Sequence, residues 1–168
     1  MRTCAPAAER ADLAATPQAV RETLLGLRRA WRTRGIAPAL WEVAEQVLAE
    51  ALNNVVEHAN DGQTGGTIRL CTTLTGGALR CEIRDDGAPI PGGRLPAGNL
   101  ANHGKAVEDL PEGGFGWYMI RTLATGLGYK RQNAWNTLVF QVAVQADAKA
   151  GIAGTSRPRR QAPPPRPG

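Results

Sequence analysis

The sequence lacks the features that mark membrane-spanning, secreted or metal-cluster proteins. No apolar run approaches the length of a transmembrane helix, and the Ala- and Arg-rich N-terminus has no continuous apolar segment of the kind found in signal peptides. The three cysteines are an odd number without metal-type spacing. We therefore expect a cytoplasmic protein with reduced cysteines and no membrane contact.

Most of the chain also lacks an excess of positive charge. The net charge is +5, but residues 147–168 hold five basic residues and one acidic residue, which leaves only +1 for the other 146 residues. The same segment contains five prolines. This composition predicts a disordered tail. It also argues against direct nucleic-acid binding by the rest of the chain.

The length of 168 residues fits a single domain. We expect a flexible N-terminus at 1–8, a domain over 9–146 and the basic tail at 147–168. After a short edge strand, the predicted elements are helices at 17–34 and 38–59, strands at 67–74 and 78–85, a lid-like loop at 86–112, a helix at 115–127, and strands at 129–132 and 135–144. Helices on one face of a mixed, largely antiparallel sheet make an α+β fold, a two-layer α/β sandwich.

The second predicted helix carries a polar row beside its apolar face. Glu50 and Asn54 are four residues apart and share one side of the helix, and His58 continues the row. Polar side chains at the rim of a buried face cost desolvation free energy unless something binds them. A metal ion and a polyphosphate would do so. The simpler interpretation is the polar flank of an ordinary amphipathic helix.

A second candidate site follows the strand at 78–85. Alternation places Asp85 on the same side as Ile83, so the carboxylate faces the core as the strand ends. A buried carboxylate needs hydrogen-bond donors, and the exocyclic amine of adenine is a suitable one. Gly87 would let a flat ring approach the backbone. An ordinary Asp-Gly turn is the alternative.

A third candidate site is the glycine-rich entrance of the helix predicted from Phe115. Gly113, Gly114 and Gly116 expose backbone N–H groups at the positive end of a helix dipole, which suits phosphate binding. The segment lacks the Gly-Lys-Ser/Thr of a P-loop. A flexible hinge before a helix is the alternative interpretation.

Taken in this order, the three segments resemble the N, G1 and G2 boxes of the GHKL (Bergerat-fold) ATPases. The matching patterns are Glu-Ala-x-x-Asn-x-x-x-His at 50–58, Asp-x-Gly-x-Pro at 85–89 and Gly-Gly-x-Gly at 113–116. Within that superfamily, the chain is most similar to the bacterial anti-sigma-factor serine/threonine kinases, over roughly residues 9–145. The resemblance implies a Bergerat ATP-binding fold with ATP and Mg²⁺ as cofactors.

The resemblance implies a role for each matched position in the N box and at the base of the nucleotide. Asn54 would ligate Mg²⁺, and Glu50 would be the general base that orients or deprotonates the incoming hydroxyl. Asp85 would bind the adenine amine, with Gly87 below the ring. Thr137, from a small polar pair that opens the last strand, would reach the adenine, although its alternation is opposite to that of Leu138.

The resemblance also implies roles for the glycines of the G2 box. Gly114 and Gly116 would offer N–H groups to the phosphates, and Gly113 would serve as a hinge. Pro89 stands where the commonest G1 box has a second glycine, as in some members of the superfamily.

Two functions remain open at this stage. The first is an ATP-dependent protein serine/threonine kinase that phosphorylates a STAS-type anti-anti-sigma partner. The family resemblance leaves open whether such a kinase also sequesters a sigma factor and whether it forms a homodimer. The second is an ATP-dependent binding module without phosphotransfer, which would have no need of a base at Glu50. We do not expect a complete histidine kinase, because only about 40 residues precede the second helix and neither histidine lies among them.

Overall fold

The computed structural model describes residues 8–58, 65–98 and 114–144. The predicted tail, most of the predicted flexible N-terminus and Gly113 lie outside these residues. The elements in chain order are β1 (Ala8–Ala14), α1 (Pro17–Thr33), α2 (Pro38–His58), β2 (Thr67–Thr75), β3 (Ala78–Asp85), a 3₁₀ turn (Pro91–Gly93), α3 (Gly114–Leu123), β4 (Thr125–Gln132) and β5 (Trp135–Ala143). Within the described ranges, no helix combines the length and the hydropathy needed to cross a bilayer.

The five strands form one sheet in the order β1-β2-β3-β5-β4, and every pairing among them is antiparallel. One face of the sheet is buried under the helices, as the alternating burial of β3 illustrates. The predicted α+β two-layer sandwich is thereby confirmed. The register places Asp85 of β3 directly opposite Asn136 of β5. This pairing brings the end of β3 together with the start of β5.

Local sequence signals define the bounds of α1. The Thr16 hydroxyl accepts a hydrogen bond from the N–H of Ala19 at 3.2 Å and caps the helix, and Pro17 occupies its first turn. Gly35, which has a φ of +70°, follows the end of the helix in the left-handed region that favours glycine. The helix buries an apolar stripe against the core, formed by Val20, Leu27 and Trp31.

Helix α2 is the central core element beneath the sheet. Five of its residues are at most 1% exposed: Ala44, Val47, Leu48, Ala51 and Leu52. Glu50 is half-buried at the edge of this apolar face. Glu50 and Asn54 of the predicted polar row therefore border the core, and the side chain of His58 lies outside the described part of the chain.

The sequence-based prediction of the third helix was wrong at its C-terminal end. We expected a helix to Leu127 and a strand from Tyr129, but α3 ends at Leu123 and β4 already begins at Thr125. Gly126 adopts a φ of +62°, and the pairing of β4 with β5 shifts register between Thr125 and Gly128. An irregular, glycine-containing strand has no clear two-residue alternation, so its first half is hidden in the sequence.

Cys71 and Cys81 are free thiols on opposite faces of the sheet, because Cys71 pairs with Glu82, the neighbour of Cys81 on β3. Burial raises the pKa of Cys81 to about 12, with a further contribution from nearby Cys71. The third cysteine, Cys4, lies outside the described residues.

Candidate nucleotide-binding site

The first part of the site is the contact between α2 and the first turn of α3. A Cβ atom added to Gly116 would lie 2.7 Å from Glu50 Oε2 and 3.7 Å from Asn54 Oδ1. The Glu50–Asn54 row of α2 therefore faces the backbone at the start of α3, which begins at Gly114. The fold thus brings together two of the segments singled out in the sequence, the polar row and the glycine-rich helix entrance.

Asn54 has an unsatisfied polar atom. Its Nδ2 is buried and finds no hydrogen-bond partner among the described residues. Most buried polar atoms are paired, so an orphaned amide beside a carboxylate indicates a site that a ligand completes. The oxygen of the same amide is a suitable ligand for a hard cation such as Mg²⁺.

The second part of the site is a buried polar pair at the end of β3 and the start of β5. Asp85 is 6% exposed and Asn136 is 4% exposed. Asn136 Nδ2 donates to Asp85 Oδ1 at 2.7 Å, and the main-chain N–H of Gly87 donates to the same oxygen at 3.1 Å. The carboxylate is therefore held from two sides, one of them the loop that follows β3.

Strand β4 supplies two further members of this polar network. The Tyr129 hydroxyl donates to Asn136 Oδ1 at 2.7 Å and accepts from the N–H of Ile90 at 3.1 Å. Arg131 Nη1 donates to Asn136 Oδ1 and to the carbonyl oxygen of Gly87, both at 2.8 Å. The network ties the loop after β3 to the β4–β5 hairpin.

The environment of Asp85 disfavours its charged form overall. Burial raises the pKa of this carboxyl above its usual value of 3.8, whereas the hydrogen bonds from Asn136 and Gly87 lower it in part. Asp86 raises the pKa slightly further and Arg131 opposes that effect. A hydrogen-bond donor on a bound ligand would stabilise the ionised form of Asp85, which burial disfavours.

Asn54 of the first part and the polar pair of the second line one cavity of about 400 Å³, whereas Glu50 and Gly116 are not among its lining residues. Its polar lining consists of Asn54, Asp85, Tyr129 and Asn136. Its apolar lining includes Val55, Ala88, Ile90, Trp117 and Leu138. An apolar cavity with a few convergent polar groups is the usual form of a small-molecule site, and flat apolar walls suit a heterocyclic base.

A second depression of similar volume, about 410 Å³, lies between α1 and α2. Among its lining residues are Val20, Leu24 and Glu45. Glu45 is already paired with Arg28 at 2.7 Å. None of the described residues singled out for ATP chemistry lines this depression, so we assign the candidate site to the cavity that contains Asp85.

Thr137 lies on β5 between two residues of the cavity lining, Asn136 and Leu138. Thr137 is buried, but it pairs with Arg84 and alternates with Asn136 and Leu138, which line the cavity. Thr137 is not among the described residues that line the cavity. Of the polar pair near the start of β5, Asn136 lines the cavity and Thr137 does not.

Sequence reasoning missed the roles of Asn136, Tyr129 and Arg131. The alternation of Asn136 with the core residue Leu138 was a signal that could have identified the first. The other two had no comparable signal, because β4 is irregular and its register on β5 is a tertiary property. The N–H of Gly87 donates to Asp85, Gly116 lies against Glu50, and Gly114 stands at the start of α3.

Comparison with known protein families identifies the family of the chain. The sequence profile of the family described as the histidine kinase-like ATPase domain matches residues 13–142. The chain belongs to this family. The match covers every described element except part of β1 and the last residue of β5. It confirms the GHKL resemblance, and membership of an ATPase domain family implies that the chain binds ATP.

A curated relative agrees with the family, and a solved structure agrees with the fold. The chain is 32% identical over 91 residues to "Serine/threonine-protein kinase BtrW" of Bordetella bronchiseptica, which covers 54% of this chain and 62% of that protein. It therefore spans about three fifths of the length of this relative. The structure of the RsbU and RsbW domains of Rv1364c from Mycobacterium tuberculosis has a TM-score of 0.56 at 18% identity, covering 82% of this chain and 32% of that one. The second similarity concerns the fold alone.

Proposed function

We propose that this chain is a protein serine/threonine kinase that binds Mg·ATP in the cavity and phosphorylates a STAS-type anti-anti-sigma partner. The observation that carries the proposal is the position of Glu50, whose carboxylate lies beside Asn54 and against the first turn of α3. A module that only bound a nucleotide would have no need of a carboxylate there. The name of the relative BtrW supports a kinase over other ATP-dependent activities.

The end of the cavity at Asp85 suits the adenine base. Asp85 would accept a hydrogen bond from the exocyclic amine, and Leu138 and Ile90 supply apolar surface for the ring. The backbone of Gly87 lies beside Asp85, to which it donates a hydrogen bond. We assign no contact with the base to Thr137.

The end of the cavity at α3 suits the phosphates and Mg²⁺. Gly114 and Gly116 stand at the N-terminus of α3, where unpaired N–H groups and the helix dipole favour anions. Asn54 would ligate Mg²⁺ through its Oδ1. Its Nδ2, which is buried and has no partner among the described residues, could donate to a phosphate oxygen. When bound, Mg²⁺ would supply positive charge that offsets the negative charge of the transferring phosphoryl group, and Asn54 would hold it.

Glu50 would act on the hydroxyl of the partner. Its carboxylate accepts the proton of a serine or threonine hydroxyl while that oxygen forms a bond to the γ-phosphorus. The bond between the γ-phosphorus and the bridging oxygen breaks, and ADP leaves with the electron pair. The products are the phosphorylated partner and ADP, and the hydroxyl proton stays on Glu50, so all atoms and charges balance.

The partners follow from the family resemblance. A STAS-type anti-anti-sigma protein is the phosphate acceptor, and we extend the proposal to sequestration of a sigma factor and to a homodimer as the binding unit. The solved relative is a structure of RsbU and RsbW domains.

The decisive experiment is co-purification of the full chain with its partners, followed by incubation with γ-labelled ATP. We expect the label on a serine or threonine of a small co-purified protein, in a reaction that requires Mg²⁺. If every partner that binds the wild-type chain stays unlabelled while ATP alters their binding, the ATP-dependent binding module replaces the kinase.

A further inference from the structure

The two faces of the sheet differ in charge, and the face opposite the helices, which we call the open face, is basic. Its charged residues follow from the register of the strands: Arg10, Asp12, Arg69, Arg80, Glu82, Arg84 and Lys130. Five basic and two acidic residues give this face a net charge of +3. Glu82 and Arg84 are partly buried, and the other five are exposed. The open face is therefore a basic surface within reach of a partner.

Most of the positive charge is concentrated in one row across the sheet. The row runs from β4 to β1 through Lys130, Thr137, Arg84, Arg69 and Asp12. Arg84 and Arg69 stand directly opposite each other, and like charges in that position destabilise a sheet. Asp12 contributes a carboxylate oxygen 4.0 Å from Arg69 Nε, with both side chains more than half exposed. An exposed pair at this distance offsets little of the repulsion.

Trp135 holds the guanidinium groups of both arginines beside its ring. The Cζ atoms of Arg69 and Arg84 lie 4.5 Å and 5.5 Å from the ring centroid. A guanidinium that stacks on a ring keeps the N–H donors in its own plane available. Arg84 Nε is buried and has no hydrogen-bond partner among the described residues. A buried charged donor without an acceptor costs free energy, which an anionic acceptor from outside the chain would recover.

We infer that the open face docks an extended acidic segment of a partner protein, and that Arg69 and Arg84 bind its carboxylates beside Trp135. A carboxylate accepts paired N–H donors from a guanidinium and would screen the two positive charges from each other. In an extended segment, alternate side chains point to one side about 6.8 Å apart, so acidic residues at every second position all face the sheet. The surface is separate from the nucleotide site, because Asp85 and Asn136 lie on the face that the helices cover.

Charge favours this occupant over the alternatives. Residues 147–168 of the chain are themselves basic, and a second copy related by a two-fold axis would bring the same basic surface against the open face. Single-stranded nucleic acid binds through its phosphates and through bases stacked on a free aromatic ring. The ring of Trp135 already holds two guanidinium groups, and Asp12 and Glu82 would repel the phosphates. A protein segment that mixes acidic with neutral residues meets neither obstacle.

The test titrates the full chain with a capped dodecapeptide of alternating glutamate and serine at about 0.15 M salt, where distant surface charges are screened. Calorimetry gives the affinity, and NMR follows the indole N–H signal of Trp135, which is assigned by its loss in Trp135→Phe. We expect the peptide to shift this signal. Arg69→Gln should weaken binding about 10-fold, because charge-assisted hydrogen bonds to a carboxylate are lost. Arg69 is exposed, so its replacement leaves the fold intact.

Arg80→Gln is the matched control. It removes the same charge from the same face, but Arg80 lies four residues from Arg84 on β3 and is not among the arginines that stack on Trp135. We expect it to weaken peptide binding by less than about 2-fold, the effect of one distant surface charge at this salt concentration. Trp135→Leu keeps every charge but removes the ring that orients the guanidinium groups, and it should weaken binding about 3-fold.

Four other outcomes would overturn the inference. Equal losses in Arg69→Gln and Arg80→Gln would show that the peptide responds to net charge alone. An unshifted Trp135 signal would place the peptide elsewhere, and tighter binding of a thymidine oligonucleotide of equal length would make nucleic acid the ligand. If sedimentation shows that Arg69→Gln dissociates a dimer of the wild-type chain, a second copy covers the open face. None of these results affects the proposed nucleotide site.

Discussion

The absence of a side chain at Gly116 leaves room for the carboxylate of Glu50, because a Cβ atom at Gly116 would lie 2.7 Å from Glu50 Oε2. The backbone conformation of Gly116 does not require glycine, since its φ is not among the positive values. Glycine is required at this position only because the Glu50 carboxylate lies so close to its backbone. The atom in the way is the end of a flexible side chain, so an added methyl group displaces Glu50 instead of disrupting the fold.

The Gly116→Ala variant should therefore lose phosphotransfer while it keeps its stability. We expect a fall of about 10-fold or more in transfer from γ-labelled ATP, because a displaced general base no longer reaches the hydroxyl. The melting temperature should change little. In a Glu50→Gln background the same substitution should cost almost nothing further, which a double-mutant cycle measures. Full additivity would show that Gly116 acts independently of Glu50.

Glu50 and Asn54 lie one turn apart on α2, but their substitution should affect nucleotide binding and phosphotransfer differently. Glu50→Gln should preserve Mg·ATP binding and reduce transfer by about 10²-fold or more, the usual scale for a general base. Asn54→Ala should weaken Mg·ATP binding as well as transfer. Titration calorimetry and labelled transfer separate the two effects. A Glu50→Gln variant that transfers phosphate at the wild-type rate would exclude Glu50 as the base.

The buried carboxyl of Asp85 should make ATP binding sensitive to acid. Its pKa is raised above 3.8 by burial, so the ionised form that accepts the adenine amine is lost at a higher pH than for an exposed aspartate. Without ATP, the native state binds this proton more tightly than the unfolded chain does. The contribution of Asp85 to stability is thus fully present below pH 3.8 and is lost as the pH rises through its native pKa.

The Asp85→Asn variant tests both parts of this prediction. It retains an acceptor for Asn136 and Gly87 but offers no charge, so the stability of the free protein at pH 7 should equal or exceed that of the wild type. The thermal shift produced by Mg·ATP should largely disappear. If Mg·ATP raises the melting temperature of both proteins equally, Asp85 does not bind the adenine. A wild-type ATP affinity that stays constant on acidification would show that the ionised carboxylate is not required.

Gly98 should be far less tolerant of a side chain than Gly126. Both have a positive φ, +64° and +62° respectively, but a Cβ at Gly98 would lie 2.8 Å from the carbonyl oxygen of Trp117 in α3. Nothing lies within 4 Å of a Cβ at Gly126. Gly126→Ala should cost about 1–2 kcal/mol of unfolding free energy from backbone strain alone. Gly98→Ala should cost about 2–4 kcal/mol, because the clash with rigid backbone adds to the strain.

Chemical denaturation of the two variants measures this difference, and the surrounding contacts explain it. Arg121 of α3 donates to the carbonyl oxygens of Pro96 at 2.7 Å and Leu95 at 3.2 Å, so the segment before Gly98 is held against the helix. If Gly98→Ala and Gly126→Ala destabilise the protein equally, the close approach of this segment to α3 does not affect the free energy of unfolding.

The sequence by itself determined the type and order of the main elements. Helix periodicity, the Thr16 cap and Pro17 predicted α1 and α2 nearly to their ends, and two-residue alternation predicted β2 and β3. These signals are local, because each depends on residues within a few positions of one another. The three glycine- and carboxylate-containing segments were also evident in order, and they identified the family before any contact between them was known.

Only the tertiary structure decided which side chains complete the site. Asp85 and Asn136 are 51 positions apart, and they meet because β3 and β5 pair in one register. A shift of one residue in that register would present Thr137 in place of Asn136. Tyr129 and Arg131 reach the site through an irregular strand whose pairing no local pattern predicts. Register and bulges depend on packing against distant residues, and that packing is what a single sequence leaves undetermined.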